Sequence, residues 1–179
     1  MPGLDFGRRP AVPRLLLAAA ALAAGAGLIV WQASVRRVEA AVSARLVSLI
    51  GLLPAHRLGT AVVFILRGRF VGYNLTPECT AAFLIAPFFF IGAAAIVAAP
   101  RVPILRTVTT VALITALLFV VNQVRLAVIA GSMRAWGFVP GYDISHVLLG
   151  TMVSTLGIVG GLLLFLARVG FWQPARSEP

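Results

Sequence analysis

Residues 74–99 read NLTPECTAAFLIAPFFFIGAAAIVAA. From Ala81 to Ala99 no charge interrupts the apolar run, which has the length, about 20 residues, that a helix needs to cross a hydrocarbon core. The residues ahead of it carry a helix-start signature: Thr76 as a hydroxyl N-cap, Pro77 at the first helical position and Glu78 in the first turn. That spacing places Cys79 at the third helical position, beside unpaired backbone amides and the positive end of the helix dipole. Such a position favours thiolate over thiol, and the same amides could receive a developing oxyanion. The plainer alternative is a small buried residue in a membrane helix. Cys79 is the only cysteine, which excludes an internal disulfide and a metal site built on a cysteine pair.

Three more runs of spanning length flank this one, over residues 15–33, 107–127 and 147–167. With 60% hydrophobic and 11% charged residues and a mean hydropathy of +1.01, the composition is that of an integral membrane protein. The formal net charge of +10 comes from fifteen arginines and no lysine. These arginines flank apolar runs and are not interleaved with aromatics, so they read as contacts to membrane lipid and as topology signals, and nucleic acid is not an expected partner. The first run is longer than a signal-peptide core and lacks a clear small-residue cleavage site, so it reads as a retained anchor. Arg8 and Arg9 form a twin-arginine pair without the surrounding consensus.

The positive-inside rule orients the chain as a multi-pass protein of the plasma membrane. Residues 1–14, the turn 100–106 and the tail 168–179 fall in the cytoplasm, and residues 34–80 and 128–146 fall outside. The expected fold is an all-α integral membrane bundle of four transmembrane helices with a small extracytoplasmic interfacial helix and β-hairpin. The helix is expected from Val35 to Leu53, with Val38, Val42, Leu46, Leu49 and Leu53 on one side. The hairpin comes from TAVVFIL (Thr60–Leu66) and RFVGYN (Arg69–Asn74), joined by Arg67-Gly68. A two-stranded hairpin is marginal alone, so it has to rest on the bundle.

Two further segments carry chemistry. Arg125 lies in an apolar run whose only other strongly polar residues are Asn122 and Gln123. An arginine at that depth costs about 2.5 to 3.5 kcal/mol on insertion scales, so it requires a partner or water, or else snorkels to the interface. Asn122 and Arg125, three apart, share a helix face and can point into one cavity. His146 follows Asp143 by three residues, which makes Asp143 a candidate N-cap for the last helix or an orienting partner for the imidazole. His56, beside Pro54 and Arg57, reads as solvated decoration in a connecting loop. Cys79, Arg125 and His146 all fall at the outer ends of their helices.

The order of cysteine, Asn-x-x-Arg and histidine, each at the outer end of a membrane helix, resembles the exosortase and archaeosortase family of membrane transpeptidases. The matching pieces are ECTAAFLIAP (Glu78–Pro87), NQVR (Asn122–Arg125) and the histidine of DISH (Asp143–His146), within a resemblance running roughly from Val62 to Leu166. The resemblance implies that Cys79 is the nucleophile, His146 the general acid/base and Arg125 the stabiliser of thiolate or oxyanion. Asn122, Asp143, Glu78 and Thr80 are supporting residues. It implies an exported protein with a C-terminal sorting tail as substrate, cleaved through a thioester and passed to an acceptor, with no cofactor and no metal. Four spans are fewer than the roughly eight typical of full members, so accessory helices are either missing or supplied by another membrane subunit.

A second class is a non-enzymatic membrane assembly factor for envelope or polysaccharide export. Gly157 and Gly161 form a small-xxx-small pattern suited to packing against a neighbouring helix. A metallopeptidase lacks its HExxH or carboxylate cluster, and a transporter lacks inverted repeats and paired interrupted helices.

Overall fold

The computed structural model describes residues 12–145 and 150–170. The chain is mostly helical, with a small three-stranded sheet. Four helical segments are long and apolar enough to cross a membrane: α1 (Val12–Val30), α3 (Ala81–Ala98), α4 (Ile104–Trp136) and the last segment, Gly150–Gly170. That last segment comprises α6 (Gly150–Phe165) and a wider terminal turn, Leu166–Gly170. Between α1 and α3 lie α2 (Gln32–Leu49) and strands β1 (Ala55–Leu58), β2 (Ala61–Leu66) and β3 (Arg69–Asn74); α5 (Phe138–Asp143) follows α4.

The bundle core joins α3, α4 and the last segment through Ile85, Phe88, Ile114, Leu118 and Phe165. Glycines set its closest contacts. A Cβ on Gly161 would fall 2.9 Å from the Phe88 ring, and one on Gly157 would fall 3.0 Å from Val121. The Gly157/Gly161 pattern is therefore consumed by packing inside the chain. Arg14, a topology charge in sequence terms, fastens α1 to the end of α3: its guanidinium donates to the carbonyls of Ile96 (3.0 Å), Ala99 (3.4 Å), Pro100 (2.7 Å) and Val102 (3.1 Å). Ile96 and the C-cap Ala99 belong to the helix end, whose carbonyls lack intrahelical partners, and Pro100 and Val102 to the turn that follows.

At 33 residues, α4 runs about 50 Å at 1.5 Å per residue, well beyond a hydrocarbon core of about 30 Å. Of residues 128–146, expected as a loop, the described part, 128–145, is largely helical, and the added turns of α4 support a second core. There Leu126, Ile129, Ala130 and Met133 meet Ala40, Ala44 and Val47 of α2 and Val62, Phe64 and Tyr73 of the sheet. Burial of this apolar surface stabilises the cap at about 25 cal/mol per Å². The side of α2 that packs inward is Glu39, Ala40, Ser43, Ala44 and Val47, while Val38, Val42 and Leu49 of the apolar stripe face outward.

The hairpin is correct but incomplete. Its two-residue turn has positive φ at both Arg67 (52°) and Gly68 (77°), the combination a type I′ turn needs to match strand twist. A third strand, β1, pairs antiparallel with β2, so that Ala55 faces Phe64 and Leu58 faces Ala61. His56 therefore lies on a strand, opposite Val63, and not in a connecting loop. The sheet is tied to α2 by the Ser43 and Tyr73 hydroxyls, 2.8 Å apart, and by Ser48, whose Oγ accepts from Ala55 N at 2.9 Å.

Candidate functional site

The site lies where the two cores meet, at the start of α3. Here the helix-start reading is corrected. Pro77–Cys79 forms a single 3₁₀ turn, and α3 begins at Ala81 with Thr80 as its N-cap, the Thr80 hydroxyl accepting from Ala82 N at 3.2 Å. Cys79 is the third residue of that 3₁₀ turn, as its spacing from Thr76 predicts, but it lies ahead of α3 and of the α3 N-cap. Thr76 makes no side-chain cap. Its hydroxyl points instead at the Cys79 sulfur, 3.3 Å away.

Of the amides expected to receive an oxyanion, Cys79 N donates to the Thr76 carbonyl at 3.0 Å and Thr80 N to that of Pro77 at 3.4 Å, and the first amides of α3 are engaged as well. Ala82 N bonds Thr80, and Ala81 N donates to the Glu39 carboxylate at 2.7 Å. Glu39 is fully buried. The same oxygen, Oε1, accepts from Asn122 Nδ2 at 3.0 Å, and Oε2 accepts from the Thr80 hydroxyl at 2.7 Å. A carboxylate at a helix N-terminus is electrostatically favourable, so Glu39 complements the end of α3 that the sequence left open for a substrate. Burial pushes its pKa above the ordinary 4.5, against the Thr80, Ala81 and Asn122 hydrogen bonds and the nearby Arg36 charge, which all pull it down.

Asn122 and Arg125 share a buried face of α4, as their spacing predicts. Asn122 Nδ2 also donates to the Cys79 carbonyl at 3.2 Å, so one side chain spans Glu39 and the cysteine backbone. Arg125 turns inward, only 7% exposed, with Nη2 3.8 Å from the Cys79 sulfur. It does not snorkel. Its Nε has no hydrogen-bond partner among the described residues, and α6 abuts it so closely that a Cβ on Gly150 would lie 2.6 Å away.

The sulfur thus has a hydroxyl at 3.3 Å and a guanidinium nitrogen at 3.8 Å, and Cys79 exposes 2% of its surface. Tyr142, half-buried, also feels Cys79 and Arg125: burial raises its hydroxyl above the ordinary 10.0, the Cys79 and Asp143 charges add to that, and Arg125 opposes it. Glu78 is exposed on the 3₁₀ turn. Asp143 is exposed and itself helical at the end of α5, so it does not act as an N-cap. His146 lies outside the described residues. Among the described residues no cluster of three His, Cys, Asp or Glu side chains could hold a metal ion.

Glu39 and Tyr142 escaped sequence reasoning. Glu39 carried one usable signal: it is the only acid between Asp5 and Glu78, set in the small-residue context VEAAVSA. An acid among alanines on a helix has to be exposed or specifically partnered. Fold and site together define a helical chain with four segments of membrane-spanning length and a buried cysteine–arginine–asparagine–glutamate cluster. No family model, curated protein or solved structure matches it.

Proposed function

We propose that the chain is a membrane-embedded cysteine transpeptidase, acting at the extracytoplasmic face of the plasma membrane on the C-terminal sorting tails of exported proteins. The observation that carries this reading is the buried Cys79 sulfur with the Arg125 guanidinium 3.8 Å away and the Cys79 carbonyl held by Asn122. A structural cysteine in an apolar helix has no need of a buried arginine, whose insertion there is unfavourable by about 2.5 to 3.5 kcal/mol.

In the proposed reaction His146 takes the thiol proton and the sulfur attacks the scissile carbonyl carbon. The C–S bond forms as the carbonyl π pair moves to oxygen. Arg125 stabilises that oxyanion, in place of the amides of α3 that Glu39 and Thr80 occupy. The oxyanion collapses, the C–N bond breaks, and His146 returns the proton to the departing amine. The acyl group remains on Cys79 as a thioester. An acceptor amine then attacks that carbonyl, loses its proton to His146, and restores the thiol. Glu39 and Asn122 position the cysteine backbone and do not touch the reacting atoms.

The reading is tested in cells carrying an exported protein that ends in an apolar helix and an arginine cluster, with wild type, Cys79→Ala, Arg125→Ala or His146→Ala at matched membrane levels. Tail removal, followed by gel mobility and terminal mass, is expected in wild type and lost in all three variants. Undiminished tail removal by Cys79→Ala overturns the mechanism.

A further inference from the structure

The strand that delivers the chain to Cys79 is an edge strand. β3 pairs with β2 on one side only. Leu75 N donates to the Thr60 carbonyl at 3.0 Å, and the register sets Tyr73 opposite Val62 and Val71 opposite Phe64. Hydrogen-bonded pairs alternate along an antiparallel ladder. Residues 71, 73 and 75 therefore turn their N–H and C=O groups toward β2, and Phe70, Gly72 and Asn74 turn theirs to the open edge. Among the described residues no backbone group bonds them there.

Sheets protect such edges with proline, bulges, charge or a covering element. β3 has neither proline nor bulge, carries Arg69 as its only charge, and has a bare glycine at its middle. The edge also points along the chain to the thiol. Thr76, two residues past Asn74, has its hydroxyl 3.3 Å from the sulfur. Two residues span at most about 7 Å, so the sulfur lies within roughly four residues of extended peptide from the last open groups.

We propose that β3 is the docking strand for the substrate: an extended polypeptide segment adds to its open edge through Phe70, Gly72 and Asn74, and runs on to Cys79. The occupant is a polypeptide because outward groups on alternate residues recur about every 6.8 Å, a spacing that another extended backbone matches. The inference rests on the thiol reading above and adds how the substrate is held.

The test uses the purified full chain in nanodiscs, where Cys79 is the only thiol. Two chloromethyl ketones of acetyl-Val-Thr-Val-Ala, one ordinary and one with N-methylated amides, are compared with iodoacetamide, and Cys79 modification is timed by mass spectrometry. Proline at position 74 deletes an outward N–H and spares the ladder, since edge strands tolerate it; Asn74→Ala removes only the side chain and its contact with Thr60. The ordinary peptidyl reagent is expected to lose about tenfold in rate on N-methylation, and about tenfold in Asn74→Pro, for roughly one to two lost hydrogen bonds. Asn74→Ala and the iodoacetamide rate stay near wild type.

Equal rates for the two peptidyl reagents on wild type overturn the docking strand, even if Asn74→Pro fails to fold. A peptidyl rate unchanged in Asn74→Pro, or a change confined to the oligomeric state, also overturns it, the latter by assigning the edge to a second copy. Cys79 inert to every reagent overturns it as well. The transpeptidase reading is judged separately, by tail removal in Cys79→Ala.

Discussion

Glu39 is the residue whose replacement should be felt most in the folding of the site. Glu39→Ala leaves three donors without their acceptor: the Thr80 hydroxyl, the Ala81 amide and Asn122 Nδ2. Each unpaired buried donor costs about 1 to 3 kcal/mol, which sums to roughly 3 to 9 kcal/mol. Relief of the carboxylate's own desolvation, several kcal/mol for a buried ion, offsets part of this. A net loss of about 2 to 4 kcal/mol remains, and at 2–4 °C per kcal/mol for a chain of this size the Tm should fall by roughly 5 to 15 °C. Glu39→Gln should recover most of it, because its carbonyl oxygen can accept from Ala81 and Asn122 while its amide donates to Thr80.

The pair also differs in pH dependence. Glu39 has a folded pKa above its ordinary value because of burial, so the folded state holds the proton more tightly than the unfolded state. The contribution is full below about pH 4.5 and is lost as pH rises through the folded pKa. The glutamine variant lacks that slope. The assay is tryptophan fluorescence during thermal unfolding in nanodiscs, run across pH 4 to 8. A Glu39→Ala Tm within 2 °C of wild type, or a Gln variant that keeps the wild-type slope, refutes the buried-acceptor reasoning.

Four other outcomes follow from the geometry. Arg125→Lys keeps the charge but loses the planar fork beside the sulfur; tail removal should fall about 10²- to 10³-fold with unchanged membrane levels, measured by quantitative immunoblot of substrate and enzyme. Gly150→Ala puts a methyl 2.6 Å from Arg125 Nε, and displacement of the guanidinium by about 1 Å should cost up to about 10²-fold in activity with a Tm change of only a few degrees. Tyr73, pushed up to about 12 by burial despite its Ser43 hydrogen bond, should not ionise near pH 10 in the folded protein, as read by absorbance at high pH. Its stability contribution is complete below pH 10 and lost toward pH 12; Tyr73→Phe should cost about 1 kcal/mol and abolish that alkaline loss. Thr80→Val removes both the α3 cap and a Glu39 partner and should cost about 2 kcal/mol, while Thr80→Ser stays near wild type.

The four helices of membrane-spanning length and the hairpin were legible because apolar runs and β-branched alternation are local signals. The pairing of Asn122 with Arg125 was legible for the same reason, since three residues on a helix always share a side. What sequence could not supply came from contacts distant along the chain. Cys79 lies ahead of its helix because Glu39, 42 residues before Ala81, binds the Ala81 amide and the Thr80 hydroxyl, moving the N-cap from Thr76 to Thr80. β1 was missed because AHRL has one buried residue in four and gains its strand character from pairing with β2. Each miss is tertiary packing overriding a local pattern.

The acyl-enzyme offers the most direct test. Wild type and Cys79→Ala, purified from cells that also make a tailed exported protein, are digested, and the peptide spanning position 79 is weighed before and after hydroxylamine. A hydroxylamine-labile adduct whose mass matches the new C-terminus of the processed protein, on Cys79 and absent from Cys79→Ala, is the expected result. Processed substrate with no adduct on Cys79, and undiminished processing by Cys79→Ala, would show that the buried thiol beside Arg125 is not the nucleophile.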